Sequence, residues 1–114
     1  MKPQSREAEL FLQVLPLFNA MGDETRQLLI RHLSNSTRLS VGELAGLTKL
    51  SRPAVSHHLK VLRDAHLVIE IKEGVRRYYR PTFLKYTNPM RELIDCVEKY
   101  ENDIIRQEEE KARG

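Results

Sequence analysis

The sequence predicts a mainly helical domain with one β-hairpin, in the order α-α-α-α-β-β-α, and three observations carry that expectation. Apolar residues recur at helical spacing in five stretches, turn and capping residues punctuate them, and after Leu67 the chain switches to β-branched and aromatic residues on both sides of a glycine. At 114 residues the length prior favours a single domain over positions 1–114, with one modest core.

Leu10, Phe11, Val14, Leu15, Phe18 and Met21 give a first helix over about 6–21, in which Pro16 removes a donor and predicts a kink or a break. Gly22-Asp23 stops that helix and starts a second, E-T-R-Q-L-L-I-R-H-L, with Leu28, Leu29 and Leu33 inward. Asn35 to Arg38 is turn chemistry. Ser40-Val41-Gly42-Glu43 matches a capping box heading a third helix to about Thr48, with Val41, Leu44 and Leu47 as its apolar face. After a short connection, Ser51 caps a fourth helix whose Pro53 lies in the first turn, where its missing donor costs nothing. There Ala54, Val55, Leu59 and Leu62 form the inner stripe, leaving Arg52, Ser56, His57, Lys60 and Arg63 outward.

Two short helices joined by a turn, the second with a polar outer face, make a helix-turn-helix over about 40–64. The hairpin that follows, over about 67–80, is then its wing. It turns at Glu73-Gly74, its apolar residues Val68, Ile69, Ile71, Val75, Tyr78 and Tyr79 can return to the core, and Lys72, Arg76 and Arg77 lie near its tip. Asn88-Pro89 reads as a cap and first-turn proline opening a last helix over about 89–111, whose far end is solvated and frays. Met90, Leu93, Ile94, Val97, Tyr100, Ile104 and Ile105 line up along it. With no later element to cover that stripe, it reads as a dimerisation surface assisted by the first helix, with Leu10, Val14, Leu93, Ile94, Val97, Tyr100 and Ile104 as candidate contacts. The other reading folds the stripe back onto its own core, and spacing alone does not separate the two.

Charge points to a partner. The net charge is only +3, but it divides into +1 over Met1–Leu50, +4 over Ser51–Arg80 and −2 over the remainder, so the excess falls on the fourth helix and the wing. No apolar run reaches the roughly 20 residues needed to span a bilayer, and the polar N-terminus M-K-P-Q-S-R-E-A-E does not read as a signal peptide. No membrane partner and a cytoplasmic location are therefore expected. Cys96 is the one cysteine, which rules out an intramolecular disulfide. It reads either as a small packing residue or as a thiol able to cross-link two subunits. The four histidines show no metal-ligand spacing, so neither a metal nor another cofactor is expected. No carboxylate pair, nucleophile elbow or glycine-rich phosphate loop supports an enzyme.

The order of elements, together with L-F-N-A-M-G-D-E-T-R-Q-L-L-I-R-H-L, S-V-G-E-L-A, S-R-P-A-V-S-H-H-L-K-V-L-R-D-A-H-L-V and E-G-V-R-R-Y-Y-R, resembles the winged helix-turn-helix of ArsR-type bacterial repressors from about Leu10 to Tyr100. That resemblance implies a homodimer on a two-fold symmetric operator in double-stranded DNA, with the recognition helices in successive major grooves. It places Arg52, Ser56 and His57 at base edges, with Ser51 also among the DNA-binding residues, whereas Lys60, Arg76 and Arg77 suit phosphates. His58 reads as structural, packing near the turn, and Arg63 as pairing with Asp64 or facing solvent. Many family members sense metals through a C-x-C in the third helix, and Ser40 and Gly42 stand at the matching positions. A second family site uses Asp and His on the terminal helix, which here offers Asp95, Cys96 and Glu98 but no histidine. The resemblance therefore implies a non-metal branch whose effector is not specified. The alternative reading is a winged helix that binds another protein through its basic wing.

Overall fold

The computed structural model describes residues 5–114, so the first four positions of the polar N-terminal stretch lie outside the described residues. The elements run α1 (Arg6–Met21), α2 (Glu24–Ser34), α3 (Val41–Thr48), α4 (Arg52–Asp64), β1 (Val68–Glu73), β2 (Arg76–Pro81) and α5 (Leu84–Arg113). This is the winged helix-turn-helix order the sequence predicts. The chain divides into two compact units, one built from 5–14 with 86–114, the other from 15–85.

The 15–85 unit has its core where the inner stripes of α2, α3 and α4 meet the hairpin: Leu29, Ile30, Leu33, Leu44, Val55, Leu59, Leu62, Leu67, Val68 and Tyr79 are all buried. Each helix start is capped. Asp23 accepts the Arg26 N–H, Ser40 and Glu43 form the expected reciprocal capping box, and Ser51 accepts the Ala54 N–H at 3.2 Å. α4 ends in a Schellman motif, with the Leu67 N–H on the Leu62 carbonyl (2.8 Å) and the His66 N–H on the Arg63 carbonyl (2.9 Å). That motif needs a left-handed residue after the cap, and His66 supplies it at φ 60°. β1 and β2 pair antiparallel from Val68↔Pro81 to Glu73↔Arg76, leaving Gly74 (φ +60°) and Val75 as the two-residue turn. Leu39, between α2 and α3, pairs with Tyr79 through both backbone bonds (3.0 and 2.8 Å), so this segment flanks β2 on its other edge.

In the other unit, Leu10 and Val14 of α1 and Leu93 of α5 form a buried cluster against which Met90 and Cys96 pack. Arg6 forks onto both Glu92 carboxylate oxygens (2.9 and 2.7 Å) and also reaches Glu9 (3.0 Å).

Several expectations change. Pro16 does not break α1, which is continuous through it; the ring is exposed, where a carbonyl that has lost its donor can be hydrated. α5 begins at Leu84 rather than at Asn88, because the Thr82 hydroxyl already accepts the Leu84 N–H (3.5 Å); Asn88 instead accepts from Arg91 (3.3 Å), and Pro89 lies inside the helix. The hairpin turns one residue later than the glutamate-glycine pair suggests. Val75 therefore sits at the tip, 100% exposed, and Leu47 of α3 also faces outward. Leu10, Val14 and Leu93, expected at a dimer interface, are spent on one another: at 0%, 0% and 6% exposure they have almost no surface left for a partner.

Candidate nucleic-acid interface

α4 buries Val55, Leu59 and Leu62, and this fixes which residues turn away from the core. Arg52, Ser56 and Lys60 follow at four-residue steps, with His57 beside them, and all four are exposed. They run along about 12 Å of helix at 1.5 Å per residue, and a helix with its side chains fits the roughly 12 Å width of a major groove. Ser51, also exposed, spends its oxygen as the N-cap acceptor, so toward a ligand it keeps its hydroxyl proton.

Below the amino-terminal end of α4 an open cleft of about 550 Å³ is lined by Ser40 to Glu43 of the α3 start, by Arg52 and Ser56, and by Val75 to Tyr79. The Arg52 head lies on Gly42: a Cβ there would stand 2.9 Å from Arg52 Nη2. The absent side chain of Gly42 thus gives Arg52 its seat. Strand alternation sends Arg76 and Arg77, expected as equivalent cations, to opposite faces of the hairpin. The Tyr78 hydroxyl, and more weakly the Glu43 carboxylate, stabilise the Arg76 cation on the α3 side. On the α4 side, Arg77 Nε stands 3.5 Å from Glu70 Oε1, a buried oxygen with no hydrogen bond among the described residues. Arg63 binds the other Glu70 oxygen at 3.3 Å, and not Asp64 or solvent alone.

The D-E-T-R segment is a joint. Asp23 caps α2, and the Arg26 guanidinium reaches back to the Ala20 carbonyl (2.6 Å) and across to His58 Nδ1 (3.4 Å) on α4. Because arginine can only donate, His58 Nδ1 accepts, and its imidazole is occupied inside the unit while His57 remains outward. The resemblance had marked this motif without assigning it a task.

Comparison with known proteins agrees with this architecture. Residues 23–70 match the family described as "Bacterial regulatory protein, arsR family". An HTH-type transcriptional regulator of Mycobacterium tuberculosis is 46% identical over 63 residues, which are 55% of this chain and 58% of that one. A transcriptional repressor SmtB homolog of Synechocystis sp. is 31% identical over 98 residues, covering 86% of this chain and 74% of that protein. The chain belongs to the arsR family. Among solved structures, a homodimeric winged helix-turn-helix DNA-binding domain of Mycobacterium bovis, determined by NMR, is 27% identical with a TM-score of 0.63, covering 87% of this chain and 91% of that domain.

The metal chemistry that the arsR family resemblance brings does not fit these residues. Ser40 offers a hydroxyl already committed to the Glu43 N–H (3.1 Å), and Gly42 has no side chain and carries Arg52. On α5, Cys96 packs against the Leu10–Val14–Leu93 cluster. Among the described residues no group of three or more His, Cys, Asp or Glu gathers as a metal site would require, and no helix is long and apolar enough to cross a membrane.

Proposed function

We propose that this arsR-family protein is a homodimeric, sequence-specific DNA-binding regulator that reads a two-fold symmetric operator and acts as a repressor. The observation that carries the reading is α4 itself. One face is wholly consumed by the core, and the other presents hydroxyls, an imidazole and cations with no apolar residue among Arg52, Ser56, His57 and Lys60. Ser56 and His57 can donate or accept at base edges, and Arg52 can form a bidentate pair with guanine. Lys60, Arg76 and Arg77 supply phosphate contacts, which set register and affinity without selecting sequence.

Pairing is supported by apolar surface. Ile94, Val97 and Tyr100 on α5 are 50%, 47% and 64% exposed, with Ile104 half-buried beside them, and Phe11 of α1 is 54% exposed. Such exposed apolar surface is what a second copy would cover. The M. bovis domain is described as homodimeric and DNA-binding, and the Synechocystis relative as a repressor, both in keeping with the proposal. The reading places this chain outside the C-x-C metal sensors of the family, because the residues at Ser40 and Gly42 have other tasks.

Selection of bound fragments from a random duplex pool tests the whole proposal. A recovered palindrome with half-sites about 10 base pairs apart, bound by a species of twice the chain mass in sedimentation, is the expected result. Absence of binding to any duplex at low salt would reject DNA as the partner and leave a protein-binding winged helix in its place.

A further inference from the structure

The wing is a two-stranded ribbon, and such a ribbon is marginal unless something holds it. Its root is secured: Leu39 brackets Tyr79 through the backbone, and Glu70 ties to Arg63 at the end of α4. Beyond Tyr78 toward the tip, among the described residues, the only backbone partners are β1 and β2 themselves. There a side-chain assembly takes over. Arg38, in the α2–α3 connection, donates from Nη1 to Glu73 Oε1 (2.6 Å) and from Nη2 to Glu73 Oε2 (2.7 Å). The same guanidinium lies over the Tyr78 ring, 4.2 Å from its centroid. Ile71, Glu73 and Tyr78 share one face of the hairpin, so one arginine grips both strands.

We propose that Arg38 is a positioning residue for DNA binding: clamped to Glu73 and stacked on Tyr78, it sets the angle of the wing and so delivers Arg76, directly across from Glu73, to the duplex. The proposal rests on the DNA-binding reading above. It also accounts for a misplaced charge. Glu73 stands beside Lys72 and opposite Arg76 on a basic wing, where a carboxylate repels phosphates and lowers affinity by charge alone. Its fork with Arg38 gives it a task that offsets that repulsion. The arginine hydrogen bonds hold the Glu73 carboxyl below the usual carboxylate range, so the clamp is ionised at neutral pH. Lysine could not replace Arg38, since a single ammonium neither forks onto two oxygens nor stacks flat on a ring.

Two measurements decide the matter. In the first, Glu73→Ala, Arg38→Lys and the swapped pair Arg38→Glu with Glu73→Arg are titrated against the selected operator and against the same duplex trimmed short of the wing. Glu73→Ala should weaken full-length binding by about tenfold, the scale of one well-made charge-assisted pair, although it removes a repulsive charge. Arg38→Lys should do nearly the same with the charge retained, the swap should recover most of the loss, and the trimmed duplex should register none of it. Unchanged or tighter binding by Glu73→Ala, wild-type binding by Arg38→Lys, or equal losses on both duplexes would overturn the proposal. In the second, amide hydrogen exchange of the free protein should rise across 72–77 in Glu73→Ala while the α4 amides keep their protection. A wing that exchanges as in wild type refutes the clamp whatever the DNA result. If the wild-type protein binds no duplex, it is the DNA-binding reading that fails, and exchange still judges the clamp.

Discussion

In α4 the residues at three- and four-residue spacing, Val55, Leu59 and Leu62, are at most 1% exposed, whereas in α5 a similar spacing leaves Ile94, Val97 and Tyr100 about half exposed or more. Both helices are amphipathic by sequence, and only the surroundings separate them. α4 is covered by α2, α3 and β1, so its polar face is the one left to meet a partner. In α5 the part of the stripe at Leu93 is covered by Leu10 and Val14, and the part beyond it is not. Where the apolar face is used up, the candidate site is read from the polar face; where it is left over, the apolar face is itself the candidate.

That comparison can be broken by substitution, beginning with the largest expected effect. Leu59→Ala should lower the stability of the fold by about 2–5 kcal/mol in urea unfolding, because it hollows a closed core. In contrast, Ile94→Asp with Val97→Asp should leave the secondary structure intact by circular dichroism and weaken self-association on the order of a hundredfold in sedimentation, each change being made twice across a two-fold interface. If the double variant unfolds instead, the α5 face belongs to the core. Ser56→Ala and His57→Ala should each cost about 1–3 kcal/mol of discrimination between the selected operator and altered sequences, with weaker effects on random duplex. Arg76→Ala should lessen the slope of log affinity against log salt by about 0.9, the release expected for one phosphate contact. Arg77→Ala should change it less, because Glu70 already occupies part of that cation, and equal slopes for the two would contradict their assignment to opposite faces. The smallest effect is a gain. His66→Gly relieves a left-handed backbone at the end of α4 and should stabilise the protein by about 0.5–1 kcal/mol, with unchanged operator preference.

The helix-turn-helix was legible because its signals are local. Ser40, Glu43, Ser51 and Pro53 declare helix starts through bonds made within four residues, and the α4 stripe has a period that burial merely confirms. The wing was legible as a hairpin, but its turn was set by register: pairing Glu73 with Arg76 pushed Val75 to the tip, although a β-branched residue there reads as core. The contacts that organise the interface were not legible. Arg38 meets Glu73 across 35 positions, Arg26 meets His58 across 32, and Gly42 receives Arg52 from the following helix. None of these pairs has a spacing rule, because the chain between them must fold before the partners are neighbours.

The amino-acid sequence by itself determined the order of elements, the helix caps, the polar face of α4 and the concentration of positive charge in Ser51–Arg80. These follow from periodicity and from bonds spanning a single turn, whose energies are settled locally. Only the tertiary structure decided that Leu10, Val14 and Leu93 are buried against one another while Ile94 and Val97 stay exposed, and that Arg76 and Arg77 face different neighbours. It also decided that Arg38 forks onto Glu73 and lies over the Tyr78 ring. Burial and long-range ion pairing depend on what packs against a residue, and that is a property of the folded chain as a whole.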